Sequence, residues 1–353
     1  METAEEVVLS RRGGIGHILL NRPKVLNAIN MGMVSTVAAA LADWAFDPEI
    51  HAVVIEGAGD RAFCAGGDVV AVSLAGQKQE PLSHEFFQAE YRLNRAIHLF
   101  EKPYIAFLDG ITMGGGVGLS VHGNHRIVTE NTLFAMPETG IGMFPDVGGS
   151  HFLPRCPGAV GLYLGLTGSR LKAADLLSVG LADVFIPAAS RDDFMTALEA
   201  ADWDADAHAT VADVCARFAG NAGSAPLDAI RADIDRHFAK DSVEAILDSL
   251  KADNGPFAAD SLKFLSGKSP TLLKVTLEQL RRGGAQEFDA NMVMEYRMAR
   301  RALKPGADFH EGVRALLIDK DKAPKWSPAA LGEVTDSLVA EYFAPQDGGD
   351  LVL

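Results

Sequence analysis

Apolar positions near the N-terminus change from the spacing of strands to that of a helix. Residues 7–10 and 15–20 are short apolar and β-branched runs, and the loop Arg11-Arg12-Gly13-Gly14 between them is typical of a β-hairpin. Asn30, a residue type that caps helices, precedes the next pattern. Apolar residues then recur at helical spacing at Met33, Val34, Val37, Leu41 and Trp44. Residues 52–56 follow as a predicted buried strand.

The same order of elements repeats further along the chain. Residues 104–108 predict a strand, residues 115–121 a short helix, and residues 125–129 and 133–135 further strands. Repeated strand-strand-helix turns indicate an α/β protein whose units stack as a layered spiral.

The composition and spacing of the sequence change after Pro187. Stretches rich in Ala, Asp and Glu with helical spacing replace the short strands, and Gly- and Pro-containing breaks separate them. We therefore expect a spiral core in residues 1–205 and a C-terminal helical region in residues 206–353.

Composition excludes several classes of protein. The chain has 353 residues, of which 48% are hydrophobic and 22% are charged, so a folded core is expected. Its formal net charge of -15 disfavours nucleic acid and anionic membranes as partners, because both need clustered cations. The longest apolar stretch, residues 104–121, contains Asp109 and five glycines, so we expect no membrane helix there.

The cysteines and the N-terminus bear on the compartment. Cys64, Cys156 and Cys215 lie far apart and are too few for a disulfide framework, which indicates a reducing environment. Residues 1–6 carry three glutamates and no apolar run, unlike a secretory signal or an Arg-rich transit peptide. We expect a cytoplasmic protein.

Two nucleotide-binding motifs are incomplete. Gly267-Lys268-Ser269 resembles the end of a phosphate loop, but Leu262 stands where that loop requires glycine. The glycines of residues 114–118 follow a predicted strand, but Leu119 replaces the last glycine of a dinucleotide-binding turn.

Hydrolase and metal motifs are incomplete as well. The serine-nucleophile patterns that begin at Gly118 and Gly148 lack their closing glycine. His122 and His125 have no third residue at metal-ligand spacing, so we expect no metal site.

Two acids stand out in an otherwise apolar segment. Glu138 and Asp146 are eight positions apart, among apolar residues, Gly and Pro. Ionised groups in such surroundings are costly and often functional. Two Gly-rich turns lie upstream, at residues 63–68 and 110–116, where backbone N–H groups can face a ligand oxygen. Together these features indicate acyl chemistry.

At these residues the chain resembles the crotonase (enoyl-CoA hydratase/isomerase) superfamily, almost from end to end. Within it the chain most resembles the group that hydrolyses short branched β-hydroxyacyl-CoA thioesters such as 3-hydroxyisobutyryl-CoA, an intermediate of valine catabolism. The segments that carry the resemblance are residues 21–28, 63–68, 90–94, 110–118, 136–149, 268–271, 308–315 and 317–326.

The resemblance implies roles for particular residues. The oxyanion hole of this superfamily falls on the N–H groups of Gly67 and Gly115, where fixed donors would stabilise the charge that a thioester oxygen gains on attack. Glu90 matches a substrate-contact position of the hydrolase group. Hydratases of the superfamily carry a first acid where this chain has Gly118, which weakens a simple hydratase interpretation.

For the hydrolase group the resemblance pairs Glu138 with Asp146. Glu138 attacks the thioester carbonyl and forms an acyl anhydride, or activates a water that attacks it; the sequence leaves both routes open. Asp146 orients the acyl hydroxyl or assists proton transfer.

Further expectations concern the ligand and the assembly. Coenzyme A is part of the substrate, and no metal or redox cofactor is expected. Lys24, Lys268 and Lys274 are candidates, by position alone, to meet its phosphates. Trimers, pairs of trimers and a monomer stay open. The rival functions are an enoyl-CoA hydratase or isomerase that uses Glu138 alone, and a catalytically silent acyl-CoA-binding protein.

Overall fold

Parallel strands and helices alternate along the first half of the chain, and helices follow. In the computed structural model, residues 5–204 and 206–353 are described. The strands are β1 (Val7–Arg12), β2 (Ile15–Leu20), β3 (Ala52–Gly57), β4 (Ala62–Cys64), β5 (Tyr104–Leu108), β6 (Ile111–Met113), β7 (His125–Val128), β8 (Leu133–Ala135) and β9 (Val184–Phe185).

Helices occupy most of the remaining chain. The α-helices are α1 (Met31–Phe46), α2 (Val69–Gln77), α3 (Leu82–His98), α4 (Gly115–Gly118), α5 (Gly149–Phe152), α6 (Val160–Thr167), α7 (Ala173–Ser178), α8 (Arg191–Glu199), α9 (Ala207–Phe218), α10 (Pro226–Ala229), α11 (Arg231–Phe238), α12 (Val243–Lys251), α13 (Pro256–Ser266), α14 (Pro270–Gly284), α15 (Phe288–Ala302), α16 (Asp308–Val313) and α17 (Asp336–Phe343). Short 3₁₀ segments are Pro23–Val25, Glu138–Ile141, Leu153–Arg155, Ala188–Ser190 and Leu331–Glu333, and Arg314–Ile318 is a π-helical turn.

The chain forms two compact units, each built from separate segments. The first comprises the residues up to Gly67, Arg92–Phe134 and Leu171–Asp228, and the second comprises Asp68–Tyr91, Ala135–Arg170 and Ala229–Leu353. The predicted α/β fold with a helical C-terminal region is confirmed. The predicted division into residues 1–205 and 206–353 stays a prediction, and residue 205 itself lies outside the described residues.

The first unit contains the parallel sheet. In the described ranges its strand order is β1-β2-β3-β5-β7-β9, with β1 and β2 antiparallel and the later neighbours parallel. Its core joins Ile15, Val54, Ile105 and Phe107 from the strands to Phe194 of α8. β2, β3 and β5 are buried on both faces, which is why they read as continuous apolar runs.

Three glycines explain the local geometry at the edge of this sheet. β1 extends to Arg12, so the hairpin loop is Gly13-Gly14, and both residues have positive φ, at 52° and 83°. Such two-residue turns match the twist of the flanking strands. On β2, a Cβ at Gly16 would lie 2.4 Å from the Trp44 ring, so α1 packs directly on the strand.

Caps predicted from sequence are present. The Asn30 side chain accepts a hydrogen bond from the N–H of Met33 at 3.0 Å, and α1 ends at Phe46. The predicted helix over residues 115–121 is shorter in the structure, where α4 ends at Gly118; just beyond it, the Ser120 hydroxyl donates to the carbonyls of Gly116 and Val117 and so competes with the helical backbone bonds.

The second unit is helical and is organised around two buried helices. α14 is buried along most of its length and packs against α5, α6 and α17. α15 contributes Met292, Met298 and Tyr296 to the interior. Ser269, from the incomplete phosphate-loop motif, caps α14 by accepting from the N–H of Leu272 at 3.1 Å.

In the described part of the chain, the length and apolar content of every helix fall short of what crossing a membrane requires.

A close backbone approach in the second unit gives a stability prediction. A Cβ at Gly161 in α6 would lie 1.7 Å from the carbonyl oxygen of Leu153. We expect Gly161→Ala to lower the free energy of unfolding by about 1–3 kcal/mol, because backbone must move to admit the methyl group. Urea denaturation followed by circular dichroism measures this change.

The control is Gly32→Ala, on the exposed surface of α1, where the added Cβ would meet only Asn30 Oδ1, at 3.4 Å. Alanine is the better helix former, so this variant should gain about 0.5–1 kcal/mol. A gain of similar size in Gly161→Ala would contradict the close approach.

Candidate active site

Glu138 opens a short 3₁₀ helix, Glu138–Ile141, which ends at Gly142 with a φ of 71°. Its neighbour Thr139 anchors this turn, since the hydroxyl donates to the carbonyl of Leu166 at 3.1 Å and its own carbonyl accepts from the N–H of Ser269. The Glu138 side chain is buried, and its Oε2 has no hydrogen-bond partner among the described residues. An acid with an unoccupied oxygen is therefore held on a rigid turn.

Asp146 is buried in the same unit and has a specific donor. The Tyr91 hydroxyl donates to Asp146 Oδ2 at 3.0 Å. Burial raises the pKa of Asp146 to about 7, although the hydrogen bond from Tyr91 acts to lower it. Near neutral pH this carboxyl is therefore able to hold or release a proton.

Glu90 joins these two acids. It precedes Tyr91 on α3, is buried, and its Oε1 lacks a partner among the described residues. Burial raises the pKa of Glu90 well above its usual range, and the charges of Asp146 and Glu138 raise it further. We call Glu90, Glu138 and Asp146 the acid cluster. The structure thus brings together the three acids that the sequence selected.

The pKa of Glu138 is raised for the same physical reasons. Burial has the largest effect, and the charge of Asp146 adds to it, whereas its own backbone N–H and Lys268 act to lower it. Like charges in a dry site cannot all ionise together at low energy. The acid cluster therefore carries fewer negative charges than it has carboxyl groups.

Lys268 lies beside the acid cluster. A Cβ at Gly140 or at Gly168 would lie 3.2 Å from its Nζ, so both positions leave room for the ammonium group. Burial lowers the pKa of Lys268, while the charge of Glu138 acts to raise it. A residue selected from sequence for the phosphates of coenzyme A thus lies within electrostatic range of Glu138.

The other two lysines have different surroundings. Lys24 is exposed, in the 3₁₀ turn Pro23–Val25 of the first unit. Lys274 is partly buried, where it forms an ion pair of 2.6 Å with Glu244 and donates to the carbonyl of Val334 at 3.0 Å. These bonds engage the Lys274 ammonium group within the protein.

The two Gly-rich turns meet in the first unit. A Cβ at Gly66, where φ is 122°, would lie 3.9 Å from the backbone nitrogen of Gly115, and one at Gly116 would lie 2.2 Å from the carbonyl oxygen of Cys64. The distance at Gly116 is too short for any side chain, and the positive φ of Gly66 is one that side chains rarely allow. The N–H groups of Gly67 and Gly115 have no acceptor among the described residues, so both stay available to a ligand.

Sequence reasoning missed two buried residues of the second unit. Tyr91 lies in the segment 90–94 that carries the family resemblance, but only the structure shows its hydrogen bond to Asp146. Glu295 is buried on α15, and its charge acts to raise the pKa of Glu138. The available signal for Glu295 was a glutamate on the same helical face as Met292 and Met298.

A family model described as enoyl-CoA hydratase/isomerase matches residues 15–343 of the chain. The 3-hydroxyisobutyryl-CoA hydrolase, mitochondrial, of Xenopus tropicalis is 46% identical over 362 residues, which cover 99% of this chain and 91% of that protein. The human protein of the same name is 43% identical over 358 residues, with the same 99% and 91% covered.

Two solved structures are similar over nearly their whole length. The structure described as a carnitinyl-CoA dehydratase from Mycobacterium thermoresistibile has a TM-score of 0.91 and 40% identity, and 98% of each chain is covered. The structure described as an enoyl-CoA hydratase from Rhodobacter sphaeroides has a TM-score of 0.90 and 39% identity, covering 99% of this chain and 100% of that one.

The prediction of a cytoplasmic protein is wrong, because the curated relatives are named as mitochondrial. It rested on the cysteine content and on residues 1–6, of which residues 1–4 lie outside the described part of the chain. Such features distinguish reducing from oxidising surroundings, and they do not identify which reducing compartment holds the protein.

The raised pKa of Asp146 predicts a pH-dependent cost in stability. The folded protein retains this proton up to about pH 7, whereas the ordinary value is 3.8, so the unfolded chain releases it earlier. Stability is therefore lost as the pH rises through this interval. We expect Asp146→Asn to raise the free energy of unfolding at pH 8 by about 2–4 kcal/mol, because its amide oxygen still accepts from Tyr91 without a buried charge.

Urea denaturation at pH 8 and pH 4 measures the effect, and the gain should disappear at pH 4. Asp43→Asn, on the exposed surface of α1, is the control, with a change within about 0.5 kcal/mol at both pH values. If the Asp146→Asn protein were less stable than the wild type at pH 8, the ionised carboxylate of Asp146 would not destabilise the folded protein.

Proposed function

Because the chain belongs to the enoyl-CoA hydratase/isomerase family, we propose that it hydrolyses 3-hydroxyisobutyryl-CoA to 3-hydroxyisobutyrate and coenzyme A. The curated 3-hydroxyisobutyryl-CoA hydrolases are 43–46% identical to it over nearly their full length. The observation that carries the assignment is the buried pair of Glu138 and Asp146, together with glycine at position 118, where hydratases carry an acid.

In the second unit, Glu138 is the reacting carboxylate. Its Oε2 has no competing hydrogen bond in the described residues, so a substrate or a water can approach it. As a nucleophile it forms an acyl anhydride and expels the thiolate of coenzyme A, and water then cleaves the anhydride. As a general base it removes a proton from the attacking water. Both routes need the ionised form of Glu138, which the charge of Lys268 favours.

Asp146 and Glu90 receive the hydroxyl of the acyl group. A hydroxyl both donates and accepts hydrogen bonds, so it can bond to one ionised and one protonated carboxyl at once. The raised pKa values of both acids make this mixed state accessible near neutral pH. An acyl chain that lacks the hydroxyl would leave buried acids unpaired, which disfavours its binding.

In the first unit, the N–H groups of Gly67 and Gly115 are the proposed oxyanion donors. Both N–H groups lack an acceptor among the described residues, and close packing of the two turns keeps their backbones in place. Each such donor stabilises a developing oxyanion by roughly 3 kcal/mol in comparable sites. Lys24, which is exposed in the same unit, is the candidate for a phosphate of coenzyme A.

Hydrolysis of a thioester transfers an acyl group to water without any change of oxidation state. The proposal therefore includes no resident metal or redox cofactor, and coenzyme A enters as part of the substrate. Because 3-hydroxyisobutyryl-CoA is an intermediate of valine catabolism, we propose that the chain acts in that pathway. The monomer, the trimer and the pair of trimers stay predictions from the family resemblance.

A second candidate function is hydration or dehydration of an enoyl-CoA. The two similar solved structures, at 39–40% identity, are described as an enoyl-CoA hydratase and a carnitinyl-CoA dehydratase. Against this candidate, Gly118 has no side chain to serve as the second acid.

A substrate pair separates these functions. The protein is incubated with 3-hydroxyisobutyryl-CoA and with crotonyl-CoA, while free thiol and enoyl absorbance are recorded. We expect thiol release from the first substrate and stable absorbance with the second, because the site is built for hydrolysis of a hydroxyacyl thioester. Loss of enoyl absorbance without thiol would assign the chain to hydration, and binding of coenzyme A without turnover of either thioester would identify a silent binding protein.

The role of Glu138 is tested by Glu138→Gln. The amide is neither a nucleophile nor a base, so we expect thiol release to fall by at least about 100-fold, while calorimetry still detects binding of coenzyme A. Glu85→Gln, on the exposed side of α3, is the control and should keep the wild-type rate. Near-normal turnover in Glu138→Gln would refute the assignment.

A further inference from the structure

Glu295 is a buried acid of the second unit to which the proposed mechanism gives no task. It lies on α15 and is 0% exposed. Its Oε2 accepts a hydrogen bond from the N–H of Gly148 at 2.8 Å, and its Oε1 accepts from the N–H of Ser150 at 2.9 Å. The Ser150 hydroxyl also donates to Oε1. One side chain thus ties down the segment that follows Asp146.

That segment has a backbone that needs support. Val147 adopts a φ of 49° and Gly148 a φ of 89°. The left-handed region is unfavourable for a β-branched residue and persists only where the surroundings enforce it. Val147 lies directly beside Asp146, so relaxation of this strain would redirect the Asp146 side chain.

A second buried side chain holds the other end of the turn. Gln279 of α14 is 0% exposed, and its Nε2 donates to the carbonyl oxygen of Pro145 at 2.7 Å. Asp146 is therefore bracketed, with Gln279 bonded to the residue before it and Glu295 bonded to residues after it. The Tyr91 hydroxyl donates a hydrogen bond to the Asp146 carboxylate itself.

Two of the three groups bonded to Glu295 are backbone N–H groups, which can only donate, whereas the Ser150 hydroxyl can donate or accept. The carboxylate accepts all three bonds, and a protonated carboxyl fits if it donates to the Ser150 oxygen. Burial raises the pKa of Glu295 to about 8, so both charge states are accessible near neutral pH. Its negative charge acts to raise the pKa values of Glu90 and Glu138.

We propose that Glu295 is a positioning residue for the thioester hydrolysis: it holds the turn of residues 145–150 so that Asp146 keeps its orientation towards Tyr91 in the acid cluster. This inference rests on the proposed function, because it assigns Asp146 a task in that reaction.

The titratable groups around the turn, from the elements packed on it, are Glu90 and Tyr91 of α3, Glu138, Asp146, Lys268 ahead of α14, and His151 of α5, whose ring contacts Phe288 of α15.

Glu295→Gln keeps the shape of the side chain and removes its charge. Its amide has one acceptor oxygen, so the NH₂ group must face one of the present donors and at least one bond is lost. With 3-hydroxyisobutyryl-CoA we expect kcat to fall by about 10- to 100-fold, because small displacements of a reacting group are costly. We expect KM to change less than about threefold, because coenzyme A supplies much of the binding.

The pH profile gives a readout that loss of packing alone would not move. Where Glu295 is ionised, its charge opposes ionisation of Glu138, so removing that charge should shift the acidic limb of kcat to lower pH. Wild-type kcat with an unmoved limb in Glu295→Gln would overturn the proposal. An inactive wild-type protein would instead refute the proposed function, and the two failures are thus distinguishable.

Asp175→Asn is the matched control. Asp175 is a buried carboxylate of the first unit that also accepts from two backbone N–H groups, those of Leu227 at 2.9 Å and Lys172 at 3.2 Å. Its loss should lower the melting temperature and leave kcat and the acidic limb unchanged. Equal effects of Asp175→Asn and Glu295→Gln on kcat and on the limb would overturn the proposal, since any lost buried carboxylate would then suffice.

Ser150→Ala keeps the proposal testable if Glu295→Gln does not fold. It removes the hydroxyl donor and keeps both backbone bonds to Glu295. We expect kcat to fall by about two- to fivefold, with KM unmoved. A wild-type kcat in Ser150→Ala, with Glu295→Gln unfolded, would count against positioning through this network.

Discussion

The burial of several carboxyl groups within one helical unit is the constraint on which this site depends. Desolvation raises the pKa values of Glu90, Glu138, Asp146 and Glu295, and for each of them it is the largest effect. Moving a charge out of water costs free energy unless hydrogen bonds or opposite charges replace the solvent. The surrounding elements supply a few such groups, and the remaining cost keeps protons on some of these acids near neutral pH.

The acids differ in the bonds they receive, and this difference separates their tasks. Glu295 accepts from backbone and hydroxyl donors on both oxygens, so it is fixed in place. Asp146 has one donor from a side chain, the Tyr91 hydroxyl. Glu138 and Glu90 each keep a buried oxygen that has no partner in the described residues. Fully bonded acids suit support of the backbone, whereas unbonded oxygens suit contact with a substrate.

The first unit achieves rigidity by a different physical means. Its two Gly-rich turns pack backbone against backbone, with Gly116 so close to Cys64 that a side chain would clash. The N–H groups of Gly67 and Gly115 have no hydrogen-bond acceptor within the described residues. Fixed dipoles of this kind stabilise developing charge without reorganising, which is the property that an oxyanion site requires. The glycines of these turns thus allow the backbone to be held in a defined position.

The sequence by itself determined the fold class and selected the acids that are proposed for the site. Apolar runs located the strands of the parallel sheet, Asn30 marked the start of α1, and the apolar surroundings of Glu138 and Asp146 identified them as unusual. These features are local, since spacing, capping and composition act over a few residues. The compartment was predicted wrongly, because composition indicates whether the surroundings are reducing or oxidising and does not specify which compartment holds the protein.

Only the tertiary structure decided which distant groups meet. Glu295 lies about 150 positions after Asp146 in sequence, and its pairing with Gly148 and Ser150 depends on how α15 packs on α5. Lys268 was selected as a candidate to meet the phosphates of coenzyme A, yet folding sets it within electrostatic range of Glu138. Hydrogen bonds and electrostatic interactions depend on distances of a few ångströms, and packing of helices far apart in the chain determines those distances.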